Sequence, residues 1–208
     1  MKLKTFINNI INLIYPNICG FCEEFSTKDL CIKCNLKLNK ISNINVDIYN
    51  DKYFKKHMYI FKYEGLIKEK LLNYKFNNKS YIYKSFVDFF INNEKIYSFL
   101  KSYDIIIPVP IHKYRKIIRG YNQSALICKK IAKKINLGYC DDVLYKNTNN
   151  KPQSTKNKEE RIKNVIGVYK FKNEKKIIGK NILVFDDIYT TGSTVNECAK
   201  ILIQARSK

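Results

Sequence analysis

At 208 residues the chain can hold one full domain and a small appendage, and its 45% hydrophobic share excludes an intrinsically disordered protein. Thirty-nine Lys and Arg against eighteen Asp and Glu leave a net charge of +21, which suits nucleic acid, anionic lipid or phosphorylated ligands as partners. The chain is also crowded with Asn and Ile, the signature of AT-biased coding, so the charge has two readings.

From the N-terminus, Leu3, Phe6, Ile7, Ile10, Ile11 and Ile14 repeat at helical spacing and predict one amphipathic helix. Asn8, Asn9 and Asn12 interrupt it, it is too short to span a bilayer, and no small-residue cleavage site follows. Docking on the main domain is the expected role, with membrane-surface contact as the alternative. Nowhere else is an apolar run long enough to cross a membrane, so a cytoplasmic protein without a membrane span is expected.

Cys19-Gly20-Phe21-Cys22 and Cys31-Ile32-Lys33-Cys34 are two CxxC pairs that can turn four thiolates onto one ion. Cys19, Cys22, Cys31 and Cys34 are therefore predicted to hold a structural Zn²⁺ with no open coordination position, disulfides being the alternative. Cys128, Cys140 and Cys198 stand in apolar surroundings and are expected to be small core residues.

Lys40 to Lys52 loses periodicity and is read as the join between the knuckle and the main domain, dividing the chain into 1–50 and 51–208. Tyr59, Phe61 and Tyr63 alternate with other residues as a strand would. One helix is predicted through Ile67, Leu71, Leu72 and Phe76, a second from about Tyr81 to Leu100, both covering a sheet. His57 and His112 lack a motif and are expected on the surface or in packing.

Asp104 to Pro110 reads as an apolar strand stopped by Pro108 and Pro110. His112, Lys113, Arg115, Lys116 and Arg119 follow, then Gly120-Tyr121-Asn122-Gln123 and a helix through Leu126, Ile127 and Ile131. A cationic loop at a strand's carboxyl end is an anion site, and Arg115 and Arg119 are its candidates because a guanidinium fork matches phosphate oxygens. A solvated basic loop is the alternative. Lys151 to Lys163 is polar and aperiodic, an expected mobile excursion between strands near Val143 and Val168.

Ile182 to Phe185 is a continuous apolar run, the pattern of a buried parallel strand, and Asp186 and Asp187 stand at its end. Ligands of open α/β sheets bind outside the carboxyl ends of the strands, which places this acid pair to meet hydroxyls or a hydrated cation. Thr190, Thr191, Gly192, Ser193 and Thr194 add four hydroxyls around one glycine and lead into a helix through Val195, Cys198, Ala199 and Leu202. A loop feeding a helix N-terminus suits a phosphate, by about 0.3–1 kcal/mol from the helix dipole alone. Simple capping by Ser193 or Thr194 is the alternative.

The stretch VFDDIYTTGST resembles the phosphoribosyl pyrophosphate (PRPP) motif of the type I phosphoribosyltransferases. That resemblance implies an α/β fold with a parallel sheet flanked by helices. It assigns Asp186 and Asp187 to the ribose 2′ and 3′ hydroxyls and Thr190, Thr191, Gly192, Ser193 and Thr194 to the 5′-phosphate. Some members carry a loop aspartate that handles a purine proton; Thr190 stands at the matching place, so an in-loop general base is absent.

With Pro108-Val109-Pro110, Arg119-Gly120-Tyr121-Asn122-Gln123, Pro152-Gln153, Glu160-Arg161 and Asn164-Val165 also in order, the chain resembles the ComF family, which includes competence-associated proteins. The resemblance implies a zinc knuckle within 1–50, a phosphoribosyltransferase-like domain over 51–208, and Mg²⁺ bridging diphosphate and ribose. It further implies Arg161 meeting the diphosphate from a closing loop, and a role in natural transformation through PRPP, single-stranded DNA or a helicase partner. Nucleobase salvage is a further reading, and whether the chain turns PRPP over is open. The family continues into a final strand where this sequence stops at Lys208, so a missing edge strand is expected.

Overall fold

The computed structural model describes residues 17–148 and 164–206. The predicted N-terminal helix and the whole of the Lys151 to Lys163 excursion, Arg161 included, lie outside the described residues.

The organising sheet has three parallel strands in the order β4 (Gly138–Tyr139), β3 (Ile105–Pro108), β7 (Ile182–Phe185). Every residue of β3 is buried, as the unbroken apolar run predicts for a central strand covered on both faces. Side chains alternate across the pleat, so Ile106 joins one core and Ile105 and Ile107 join another.

The first core is built by helices α2 (Gly65–Phe76), α3 (Ile82–Asn92), α4 (Glu94–Lys101) and α6 (Gln123–Ile135). Ile127, Cys128, Ile131 and Ile135 form the buried stripe of α6 at 3–4 residue spacing. The second core lies between β3, the antiparallel ribbon of β5 (Leu144–Lys146) with β6 (Tyr169–Phe171), and α7 (Ser193–Arg206). The result is an α/β fold, a parallel sheet flanked by helices, with a cysteine cluster at its N-terminal side. Cys128, Cys140 and Cys198 are core residues, 0%, 5% and 0% exposed.

Two elements differ from the sequence expectation. The helix predicted over 81–100 is two helices, because Asn93 leaves helical geometry and its side-chain oxygen accepts from the Ile96 amide, capping a new start. The strand expected over 59–63 is β2 (Lys56–Tyr59), one arm of an antiparallel hairpin with β1 (Asn45–Ile48), so part of the presumed join is paired backbone. The knuckle continues into α1 (Ile32–Ile41) and packs on α3: Phe21 meets Phe86 edge-on at 5.2 Å, and the Gly20 amide donates to Ser85 Oγ at 2.9 Å.

Among the described residues no helix is long and apolar enough to cross a membrane.

Candidate functional site

The site is assembled by the pairing of β3 with β7. Their parallel register runs from Ile105 opposite Ile182 to Pro108 opposite Phe185, and the Val109 amide extends it by donating to the Phe185 carbonyl at 2.8 Å. Both strands therefore end at the same edge, and the segments that follow them emerge side by side. This brings the predicted acid pair and the predicted basic loop together, as two strand ends of one parallel sheet must.

After β3, His112 caps α5 (Lys113–Arg119) by accepting from the Tyr114 amide on Nδ1 at 3.3 Å. Arg115 and Arg119 stand one turn apart and are the half-buried residues of α5, while Lys113, Tyr114, Lys116, Ile117 and Ile118 are exposed. Gly120 then ends the helix at φ +75°, a left-handed turn that a residue with a Cβ adopts only under strain. Asn122 fixes the next turn twice: its side-chain oxygen accepts from Ala125 at the start of α6, and its amide donates to the Val109 carbonyl at 3.0 Å. Arg119 is held from two sides, its guanidinium 5.0 Å from the centre of the Phe76 ring and 3.3 Å from Gln123 Oε1.

After β7, the carboxylate of Asp186 accepts from the Asp187 amide at 2.9 Å. Burial first and the neighbouring Asp187 charge second push the Asp186 carboxyl up to about 7, with Lys75 opposing. The loop closes on Gly192, at φ +74°, whose missing side chain leaves room for the Tyr189 ring. Thr191 Oγ1 and Ser193 Oγ are 2.9 Å apart, and the Ser193 amide donates to Thr191 Oγ1, so hydroxyls gather at the first turn of α7. Thr190 is exposed and Thr194 half-buried.

The four knuckle thiols lie within 4.8 Å of one another, with Cys22 and Cys31 Sγ 3.8 Å apart. Metal–sulfur bonds of about 2.3 Å in a tetrahedron place sulfurs about 3.8 Å apart, so the donor set fits a structural metal ion. All seven cysteines are free, and the mutual spacing of the four knuckle sulfurs favours a metal over the disulfide alternative. Cys19 and Cys34 are buried in the same core cluster as Phe86, with Cys22 and Cys31 packed against it.

The whole chain was compared with known proteins. No family model matches it. It is 26% identical to Competence protein ComFC of Bacillus subtilis over 193 residues, 92% of this chain and 73% of that protein. Competence protein ComFC of Streptococcus pneumoniae is 31% identical over 152 residues, 73% of this chain and 64% of that one. Competence protein F of Haemophilus influenzae is 31% identical over 106 residues, half of this chain and 45% of that one. The chain belongs to the ComF family.

Several residues that shape the ComF site carried no motif in the sequence. Lys75, in the last turn of α2, puts its ammonium 2.7 Å from Asp187 Oδ2, with both side chains largely buried. Lys146, at the end of β5, lies 5.6 Å from the Tyr169 ring; burial first and the nearby Arg115 second lower its pKa. Tyr189 is clamped by the β1–β2 hairpin, where His57 stacks on it at 3.8 Å and Lys52 donates to its hydroxyl at 3.1 Å. The contacts of Lys75 and Tyr189 join segments more than one hundred residues apart, and those of Lys146 join different elements, so no local pattern announces them.

A cavity of about 1020 Å³ also runs beside β7 and reaches Asp186 and Asp187 at one end. Its walls, among them Phe61, Phe86, Phe90 and Leu183, are mostly apolar, with Lys55, Lys56 and Lys62 also on its lining. The polar chemistry of the ComF chain is concentrated at the strand ends.

Proposed function

We propose that this ComF-family chain binds PRPP across the carboxyl ends of β3 and β7 and serves in DNA uptake. The observation that carries the reading is the in-register pairing of those strands, which sets an acid pair and a hydroxyl-rich helix start beside an arginine face. A sugar carrying a monophosphate at one end and a diphosphate at the other needs those three surfaces.

In this reading Asp186 and Asp187 accept hydrogen bonds from the ribose 2′ and 3′ hydroxyls. Thr190, Thr191, Gly192, Ser193 and Thr194 wrap the 5′-phosphate, whose charge is favoured at the start of α7. Arg115 and Arg119 take the diphosphate, Arg119 already oriented by Phe76 and Gln123. Arg161 is assigned to the same diphosphate from its matched motif alone. Mg²⁺, when bound with PRPP, supplies further positive charge between diphosphate and ribose hydroxyls. If a nucleobase acceptor is also taken, the arginines stabilise the departing diphosphate electrostatically. The knuckle metal is assigned as Zn²⁺, the ion that four clustered thiolates favour.

The role in DNA uptake rests on the relatives, which are named competence proteins. Titration of PRPP with Mg²⁺ into wild type and an Asp186→Asn, Asp187→Asn double variant tests the ligand. Wild-type affinity in the double variant would overturn the assignment. Pyrophosphate release across a panel of bases then separates a transferase from a binder. The net charge of +21 favours a second, compatible reading in which other surfaces hold single-stranded DNA or a helicase partner.

A further inference from the structure

The end of α2 meets both halves of the strand-end site. Lys75 reaches Asp187 Oδ2 at 2.7 Å, with only 15% and 12% of the two side chains exposed. On one side of it, the Tyr74 hydroxyl donates to the Gln123 carbonyl at 2.8 Å, and the Tyr121 hydroxyl donates to the Tyr74 carbonyl. On the other side, Phe76 lies under Arg119. One turn of helix thus touches the acid pair, the link between α5 and α6, and the arginine.

We propose that Lys75 is a positioning residue of the ligand site: its ammonium occupies one oxygen of Asp187 and leaves the other oxygen to accept a sugar hydroxyl. The ligand class, a vicinal diol on a phosphorylated sugar, rests on the phosphoribosyl reading above; the tether between Lys75 and Asp187 does not. Two adjacent carboxylates in a poorly solvated place repel, and one of them takes up a proton unless a cation intervenes. Because the cation sits on Asp187, Asp186 is the member that holds a proton to high pH, and its raised pKa agrees. The two acids are therefore not equivalent. Asp187 has one oxygen taken by Lys75, while Asp186 donates or accepts according to pH.

Other groups bear on the pair. Tyr74 and Arg119 face Asp187, and Cys128, Lys146, Tyr169 and Cys198 face Asp186. Of the cations, Lys75 makes the direct ion pair among the described residues. Its removal leaves Asp186 and Asp187 to share a proton at pH values where wild type has lost it.

The test uses Lys75→Met, which keeps the length of the side chain and removes its charge, and Lys75→Arg, which restores the charge. In the ligand-free full chain, the carboxyl carbons of Asp186 and Asp187 are followed by ¹³C NMR from pH 4 to 9. The midpoint of the pair is expected to rise by about 1–3 pH units in Lys75→Met and to stay near wild type in Lys75→Arg. Calorimetric titration of PRPP with Mg²⁺ at pH 7 is expected to show affinity about 10-fold or more weaker in Lys75→Met, recovering as pH rises and the acids ionise. A merely structural role would weaken binding equally at every pH and leave the NMR midpoint in place. An unmoved midpoint in Lys75→Met overturns the proposal. A moved midpoint in a wild-type chain background that does not bind PRPP upholds the tether and rejects the phosphoribosyl ligand instead, so the two failures are told apart.

Discussion

Replacing Asp186 by Asn should make the protein more stable at neutral pH and leave it unchanged in acid. The Asp186 carboxyl is pushed from its ordinary 3.8 up to about 7, by burial first and by the charge of Asp187 second. A raised folded pKa means that the native state holds a proton the unfolded chain has already released. The resulting stabilisation is complete below about pH 4 and is lost as pH rises through about 7. A gap of about 3 pH units is worth about 4 kcal/mol at 1.36 kcal/mol each, and water reaching this half-buried group reduces that to about 2–4 kcal/mol. Asparagine is neutral at every pH and keeps the shape, so the variant escapes the loss. Melting curves for both proteins at half-unit steps from pH 4 to 8 should coincide at pH 4. They should separate to a variant advantage of roughly 4–16 °C at pH 8, given about 2–4 °C per kcal/mol for a chain of this size. Carboxylates with lowered pKa values, Glu23 beside Lys79 and Asp142 beside Cys140 and Lys176, impose the opposite slope on both proteins and cancel in the difference. A difference that is flat with pH, or that favours wild type at pH 8, would refute the reasoning about the acid pair.

The knuckle should depend on its metal: a strong chelator, or Cys34→Ser, is expected to melt it, since a structural zinc site supplies about 10–16 kcal/mol. Loss of the Phe21–Phe86 contact would be read as increased amide exchange in α3. Gly192→Ala combines a φ of +74° with a collision against the Tyr189 ring, so PRPP affinity should fall at least 10-fold, measured by calorimetry, and strain of about 1–3 kcal/mol should lower the melting point by roughly 2–12 °C. Tyr74→Phe removes the hydroxyl that satisfies the buried Gln123 carbonyl and should cost about 1–3 kcal/mol in denaturant unfolding. If the lysine-rich surface holds DNA, fluorescence anisotropy should show affinity for single strands falling steeply between 50 and 200 mM salt, as counterion release requires; a flat response would remove the charge from the account.

Much of the site was legible because its chemistry is local. A buried strand announces itself as an apolar run, and both β3 and β7 lie within the runs that predicted them. The two CxxC pairs carry their own geometry and bring their sulfurs together as expected. The break at Asn93 was hidden because the polar run Asn92-Asn93-Glu94-Lys95 looks the same whether it forms the solvent face of one helix or caps a new one. The hairpin was hidden because β1 and β2 are four residues each and neither has a fully buried residue to impose a clear alternation.

Lys75 was hidden for a deeper reason. In a chain with 39 Lys and Arg, one more lysine in the last turn of a helix reads as a favourable but ordinary helix-dipole contact. What distinguishes it is the partner, which comes from 112 positions further on and only because β7 pairs with β3. The abundance of basic residues therefore masks the few that matter, and burial separates them. Lys75, Lys146, Arg115 and Arg119 are at least half-withdrawn from water around the strand ends, whereas Lys113, Lys116 and most others are solvated. A charge in water is screened within about 8–10 Å, and one withdrawn from it is screened much less. If the strand ends bind an anion as proposed, these four residues should set that affinity more than the net charge of the whole surface does.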